Sequence, residues 1–377
     1  MRFPEFEGEW ESKPLREVVK INQGLQIAIS ERSTENKTGS YFYITNEFLK
    51  AGSGKKYYIL NPPQSVICNE KDILMTRTGN TGQVVTNVSG AFHNNFFKVA
   101  YPEYIDKIFL YNFLKLNKTQ NQILRFAGTS TIPDLNHSDF YRIIISLPSN
   151  KEQQKIASFL SLIDERITTQ SKIIKELKTL KASTAKKIFS QELRFKDDNG
   201  NIFSEWEVRE VGEVFKITRG NVLAMNLVSN QCNEKNTYPV YSSQTKNNGL
   251  AGYYTDFLFE DAITWTTDGA NAGDVNYRSG KFYCTNVCGV LISNEGYANS
   301  CIAELINSVS KNYVSYVGNP KLMNGVMSEI KIPFPSLPEQ TKIANFLSAI
   351  DSKIDMENQL LQKLEEQKKY LLQNMFV

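Results

Sequence analysis

Two glycine-bearing turns hold the side chains with the most chemical reach: Thr76-Arg77-Thr78-Gly79-Asn80-Thr81-Gly82 and Thr266-Thr267-Asp268-Gly269-Ala270-Asn271-Ala272-Gly273. Arginine donates a fork of hydrogen bonds to a guanine edge or a phosphate, asparagine pairs with an adenine edge, and threonine serves either. Polar glycine turns also close ordinary hairpins; what singles these out is that they recur at corresponding places in two halves of the chain. With polar and basic residues on neighbouring segments they form a set of candidate nucleic-acid contacts. In the first half these are Lys20, Gln23, Thr76, Arg77, Thr78, Asn80, Thr81, Ser130 and Thr131; in the second, Lys216, Arg219, Thr267, Asn271, Arg278 and Lys321.

Bond-making chemistry finds no comparable support. Cys68, Cys232, Cys284, Cys288 and Cys301 contain no C-x-x-C pair, and His93 and His137 are the only histidines. A zinc centre needs about four ligands at close spacing, so Cys284 and Cys288 read as small buried hydrophobes and no metal site is expected. Asn61-Pro62-Pro63-Gln64 is similar to the N-P-P-aromatic loop of adenine methyltransferases, but Gln64 cannot stack on a base and no glycine-rich turn for a methyl donor accompanies it. Gly52-Ser53-Gly54-Lys55-Lys56 lacks the spacing of a phosphate loop and precedes an apolar run fit for a strand. Pro338–Lys342 looks like a nuclease motif only superficially, because it falls in a helix start. No catalytic residue is expected.

The elements that must position the turns come from a duplication. The stretch from Pro148 to Asp164, with Lys155-Ile156-Ala157-Ser158-Phe159-Leu160-Ser161, returns from Pro335 to Asp351 at an offset of 187 residues. Trp10, Glu11, Glu17, Val18, Lys20, Ile21 and Gly24 return at an offset of 196 as Trp206, Glu207, Glu213, Val214, Lys216, Ile217 and Gly220. Short patches between them also match, such as Pro133 and Leu135 against Pro320 and Leu322. The chain therefore divides into a globular part over 1–148, a helix over 149–192, a second globular part over 193–335 and a second helix over 336–377.

Ser149-x-x-Glu152 and Ser336-x-x-Glu339 read as capping boxes that start both helices. Beyond them, Ile156, Leu160, Ile163, Ile167, Ile174 and Leu177 fall on a heptad seam that the copy repeats as Ile343, Leu347, Ile350, Ile354, Leu361 and Leu364, with Gln170 and Glu357 in the same gap. Each seam finds its natural partner in the other. A helix of about 40 residues is about 60 Å long. Because Phe376 corresponds to Phe189 and Arg2-Phe3 to Arg194-Phe195, the repeat is cyclic: a twofold arrangement would bring the chain ends together and run the helices antiparallel. The globular parts carry short strands at Tyr41–Ile44, Val66–Cys68, Ile73–Met75, Ala262–Trp265 and Phe282–Tyr283 and short helices at Lys107–Leu116 and Ile302–Val309, which predicts mixed α/β inserts with a bent sheet.

With 377 residues, 41% of them hydrophobic, the chain can bury more than one core. Its net charge of only +3 rules out a global cationic field, so any nucleic-acid binding depends on local faces. Residues 151–192 carry a net +4 and residues 193–336 a net −3, so the second insert must turn its few cations toward such a ligand and keep its acidic excess elsewhere. No run of 18 apolar residues occurs and the start lacks a signal-peptide pattern, from which a cytosolic protein without membrane contact is expected.

Two unlike inserts alternating with two nearly identical helices, each opened by Gln-x-Lys-Ile-Ala-x-Phe-Leu-Ser-x-Ile-Asp, resembles the specificity subunits of type I restriction-modification systems over essentially the whole length. The leader Arg2–Trp10, echoed by Arg194, Phe195 and Trp206, is similar to that family's lead-in to each recognition domain. In the first opening, Asn150-Lys151 and Gln154 depart from the Leu337-Pro338 and Thr341 of the second. The resemblance implies an α+β chain of two pseudo-twofold-related target recognition domains joined by two long antiparallel helices forming a coiled coil. It further implies a non-catalytic reader of double-stranded DNA. Each domain would take one half of an asymmetric bipartite site, and the helices would set the spacer and dock two modification subunits. Two restriction subunits would join them. S-adenosylmethionine, ATP and Mg would belong to those partners, with no cofactor in this chain.

Overall fold

A computed structural model describes residues 2–50, 54–128, 131–243 and 246–376. The chain forms two compact units: residues 1–171 with 359–377, and residues 172–358. Each unit thus combines one insert with the start of one long helix and the end of the other.

In the first unit the two edges of the repeat meet as a ladder. Strand Glu11–Pro14 pairs antiparallel with Ile144–Leu147, Glu11 opposite Leu147 and Pro14 opposite Ile144. The insert between them holds one sheet in the order Lys20–Gln23, Phe96–Ala100, Ile73–Thr76, Val84–Thr86, and another in the order Tyr58–Leu60, Ser40–Ile44, Gly90–Phe92, Ile67–Cys68. Helices Lys107–Lys115 and Asn117–Ala127 cover the first sheet. The former starts where the sequence allows it, with Asp106 Oδ1 accepting from the amides of Ile108 and Phe109 at 2.8 and 2.9 Å. Leu15, Ile73, Met75, Phe97, Phe109, Phe140 and Ile145 form the core, joined by Ile156, Leu160 and Ile163 of the first long helix and by Leu371 and Met375 of the second. Each fully buried Leu or Ile contributes about 1.5–3 kcal/mol. Phe376 stacks on Phe109 with centroids 4.9 Å apart, and Phe3 packs edge-on to Phe159 at 5.8 Å.

In the second unit Glu207–Glu210 pairs antiparallel with Lys331–Phe334, the same ladder at the same places in the repeat. Its insert has a single six-stranded sheet in the order Lys216–Arg219, Cys288–Ile292, Phe259–Thr266, Val275–Cys284, Tyr238–Tyr241, Leu250–Tyr254. Helix Ser300–Ser310, capped by Asn299 Oδ1 on the Ile302 amide at 3.1 Å, packs on it. Trp206, Val211, Trp265, Leu291, Ile302 and Ile306 form the core with Ile188 from the end of the first long helix and Ile343 and Leu347 from the start of the second. The strand and helix positions read from the sequence fall on observed elements to within a residue, with Val66 closing a 3-10 turn before strand Ile67–Cys68; the sequence reading misses helix Asn117–Ala127, whose buried Thr119, Ile123 and Ala127 recur every four residues in an otherwise polar run.

The long helices run Asn150–Phe189 and Leu337–Met375, a few residues inside the expected limits. They are antiparallel within each unit. Lys368 pairs with Asp164 in the first, and Lys181 Nζ pairs with Asp351 Oδ2 at 2.8 Å in the second. Asp164 and Asp351, and Lys181 and Lys368, are equivalent at the 187-residue offset, so one ion pair is made twice with the roles of the helices exchanged. Of the seam residues, Ile156, Leu160, Ile163, Ile174, Ile343, Leu347, Ile354 and Leu364 are buried, and Ile167, Leu177, Ile350 and Leu361 are partly buried.

The capping boxes are not formed as expected. The Glu152 amide reaches Ser149 Oγ at 3.3 Å, but the Glu152 carboxylate does not return to the cap. It accepts from Arg2 Nε and Nη2, both at 2.7 Å, and from Trp10 Nε1 at 3.3 Å. In the copy, Glu339 accepts from Arg194 Nε at 3.0 Å and Trp206 Nε1 at 2.7 Å, and Ser336 Oγ is buried without a partner. The next residue is enlisted as well: Gln153 and Gln340 donate to the carbonyls of Pro148 and Pro335. They accept from the Asp106 amide and from Asn299 Nδ2, tying each long helix to the start of a short one. A buried carboxylate needs charged donors more than a helix start needs a second cap, which is why the leader arginine takes it.

Candidate nucleic-acid interface

The first polar turn leaves strand Ile73–Thr76 and returns into Val84–Thr86. Its shape comes from its own backbone: Gly82 N donates to Thr76 O at 2.8 Å, and Gly79 and Gly82 lie at φ +75 and +91, where a side chain is strained. A second segment braces it. Leu135 N donates to Arg77 O at 2.8 Å, Thr81 Oγ1 donates to Pro133 O at 2.7 Å, and Arg77 Nη2 pairs with Asp134 Oδ2 at 2.6 Å. The second turn is braced in the same way: Gly273 N donates to Thr266 O, Leu322 N to Thr267 O and Gly269 N to Pro320 O, each at 2.9 Å. Lys321 Nζ lies 3.9 Å from Asp268, so the ion pair is kept with its signs reversed between the two segments. The matching Pro133/Leu135 and Pro320/Leu322 patches are the sequence signal of this brace.

The candidate residues divide by placement. Asn80 and Thr131 are exposed at the first turn, and Thr78 and Thr81 are partly exposed. Arg77 is held by Asp134 with its guanidinium over Phe97. Ser130 lies outside the described residues. Thr76 and Thr267 are fully buried, with their hydroxyls donating to the carbonyls of Asn80 and Val287; they shape the turns from within and are closed to a ligand, contrary to expectation. Asn271 is half-buried and donates to Ser243 O at 3.0 Å, while Lys321 is exposed.

Strand register separates the rest. Gln23 lies opposite Phe97, at the turn end of the sheet, and Lys20 opposite Ala100, three residues away or about 10 Å. In the second insert Arg219 lies opposite Gly289 at the turn end and Lys216 opposite Ile292 at the far end. Arg278 is 8% exposed, three residues from the turn end of strand Val275–Cys284 and opposite Ala262. The repeat-derived pairs Gln23/Arg219 therefore join the turns, and Lys20/Lys216 do not.

Among the described residues no group of three or more His, Cys, Asp or Glu converges as a metal site, and no helix is long and apolar enough to cross a membrane. Cys68, Cys284, Cys288 and Cys301 are buried, and burial pushes the thiols of Cys68 and Cys288 up to about 11, which leaves them protonated and inert at neutral pH.

The sequence profile of the type I restriction modification DNA specificity domain matches twice, at residues 7–179 and 203–366. The chain belongs to that family. Each match spans one insert and most of the long helix that follows it, one copy of the sequence repeat. A putative type I specificity subunit of Mycoplasma pneumoniae is 34% identical over 223 residues, covering 58% of this chain and 80% of the relative. The specificity subunit of the MjaVIII type I restriction enzyme of Methanocaldococcus jannaschii is 26% identical, covering 99% of this chain and 92% of its own. The crystal structure of a type I S subunit from M. genitalium shares the fold over 100% of this chain and 99% of its own, with a TM-score of 0.66 and 20% identity. This specificity-family chain is α+β, with two α/β target recognition domains and two long antiparallel helices.

Proposed function

We propose that the chain is the sequence-specific DNA-recognition subunit of a type I restriction-modification complex and is itself non-catalytic. Each recognition domain reads one half of an asymmetric bipartite site. The carrying observation is that two inserts of one topology present equivalent, backbone-braced polar turns whose exposed side chains differ: Asn80 and Thr131 in one, Lys321 in the other. A rigid turn with exchangeable side chains is suited to base readout, and unlike side chains imply unlike half-sites. The helices set the unread spacer, since half-site spacing on DNA is imposed by the protein that holds the readers. They also dock modification subunits. Two such subunits and two restriction subunits complete the assembly, and S-adenosylmethionine, ATP and Mg are carried by them in the cytosol. Adenine methylation there requires flipping the base out of the stack into a modification subunit.

The test is methylome sequencing of cells carrying this chain with its modification partner, followed by gel shift on the site found. The expected result is a two-part motif modified on both strands, whose binding is lost when the spacer is changed by a base pair. A contiguous motif, or binding indifferent to spacer length, would overturn the reading.

A further inference from the structure

The second insert contains a half-open polar cavity of about 170 Å³ whose wall includes Ser242, Thr266, Asp274, Asn276, Arg278 and Asn307. That is ample for several waters or one small polyatomic ion. Its charge comes from Arg278, whose guanidinium lies 3.8 Å from the Tyr241 ring centroid and whose Nε donates to Thr264 Oγ1 at 3.0 Å. Among the described residues no carboxylate lies within ion-pair distance of it; the one acid in the wall, Asp274, is paired with Lys311 at 2.5 Å. Burial depresses the Arg278 pKa, which marks the charge as under-compensated. The other wall groups are donors or can become so. Ser242 Oγ already accepts from Thr285 and keeps its own proton to give, and Asn307 Oδ1 already accepts from Val275 N, leaving its amide nitrogen.

The corresponding wall positions of the first insert are apolar. By strand register Leu74 and Val85 stand where the second has Thr264 and Asn276, and Leu74 packs with Phe92 and Phe96. A buried cation stacked, aimed and surrounded by donors is costly unless an anion completes it.

We propose that this cavity is an oxyanion site that accepts a phosphate group, supplied by the DNA backbone when the second recognition domain is bound. The source rests on the DNA-reading function above; the oxyanion chemistry does not. Arg278 is then a positioning contact that carries no base information.

Phosphorus NMR of inorganic phosphate with the full chain, at ionic strength held constant with chloride, tests the cavity. Wild type is expected to broaden the line saturably. Asn307→Asp keeps the acceptor for Val275 N but puts a negative charge in the wall, and is expected to weaken binding at least tenfold; Arg278→Gln is expected to abolish it. No saturable broadening in wild type, or equal broadening in all three proteins, overturns the site. In the complex with modification subunits, both variants are expected to bind a pool of random duplexes about tenfold more weakly, with the salt slope reduced by about one. Loss of phosphate binding with unchanged duplex binding overturns the backbone as source. If wild type binds no duplex, the DNA-reading function itself falls, while the phosphate titration still decides the cavity.

Discussion

The two inserts lay the same strands in the same order and fill the space between them differently. In the first, the strand entering the polar turn is split into Ile67–Cys68 and Ile73–Thr76, and the strand leaving it stops after Thr86 at Asn87, which lies at φ +59, and resumes at Gly90; in the second the corresponding strands are the single Phe259–Thr266 and Val275–Cys284. Both keep the parallel contact at its end, Tyr43 opposite Ala91 and Val240 opposite Tyr283. The interior is exchanged in compensating pairs. Met75 faces Phe97 in the first insert, whereas Trp265 faces Gly289 in the second. One large and one medium side chain have become one very large and none. Backbone pairing sets the topology and total volume limits the core, so side-chain identity is free to diverge, and so are the surfaces above it.

That comparison can be broken most severely at Gly289. A Cβ there would lie 2.1 Å from the Trp265 ring, so Gly289→Phe is expected to destabilise the second domain by more than about 3 kcal/mol. Trp265→Met alone leaves a cavity and costs about 3 kcal/mol. The double variant, which installs the first insert's pair, is expected to recover most of the loss in denaturant unfolding. Simple additivity of the two costs would show that the pairs are not equivalent.

The leader locks come next. Glu339 is fully buried with an arginine 12% exposed and a tryptophan bond of 2.7 Å, while the partner arginine of Glu152 is 29% exposed and its tryptophan bond is 3.3 Å. Glu339→Gln is expected to cost about 2–3 kcal/mol and Glu152→Gln about half that, since charged hydrogen bonds gain most where water is excluded. Equal losses in thermal unfolding would refute the difference in burial as the cause.

A smaller contrast sits on the helices. Burial opposes the charge of Lys181, but hydrogen bonds to Asp351 and Glu304 outweigh it and raise its pKa. Lys368 has the Asp164 pair without a counterpart of Glu304. Lys181→Ala is expected to cost about 1 kcal/mol and Lys368→Ala about 0.5 kcal/mol, measured by unfolding at low salt.

The smallest effect is acidic. Burial and then the charge of Arg32 lower the pKa of His93, whose place in the second insert is taken by Thr285. The unfolded chain takes up this proton near pH 6.5 and the folded chain only at lower pH, so stability is full above about 6.5 and falls as the pH drops through the window below it. His93→Thr is expected to remove that slope; a slope that persists unchanged would assign it to other groups.

Much of this was legible in the amino-acid order. The offsets of 187 and 196 residues mark the two edges that pair as ladders, and the seam from Ile156 to Leu177 marks the buried face of a helix, because period and repetition survive without knowledge of partners. The spacing alone reads Glu152 and Glu339 as cap residues, since a capping box and a buried ion-pair partner share the same local pattern; only the return of a leader more than a hundred residues away distinguishes them. Thr76 and Thr267 group with surface contacts by type and are buried in fact, because residue type says nothing of the side of a turn on which it falls.

Sequence alone determined that there are two copies of a frame, where each begins and ends, and that long apolar seams must find one another, since all of these follow from local periodicity and self-similarity. Tertiary structure decided which polar groups face outward, which carboxylates are sealed against arginine, and that a guanidinium lines a polar cavity in the second insert. Those outcomes depend on strand register and on partners distant in the chain, and burial by such partners is what converts a polar residue from a surface group into a structural one.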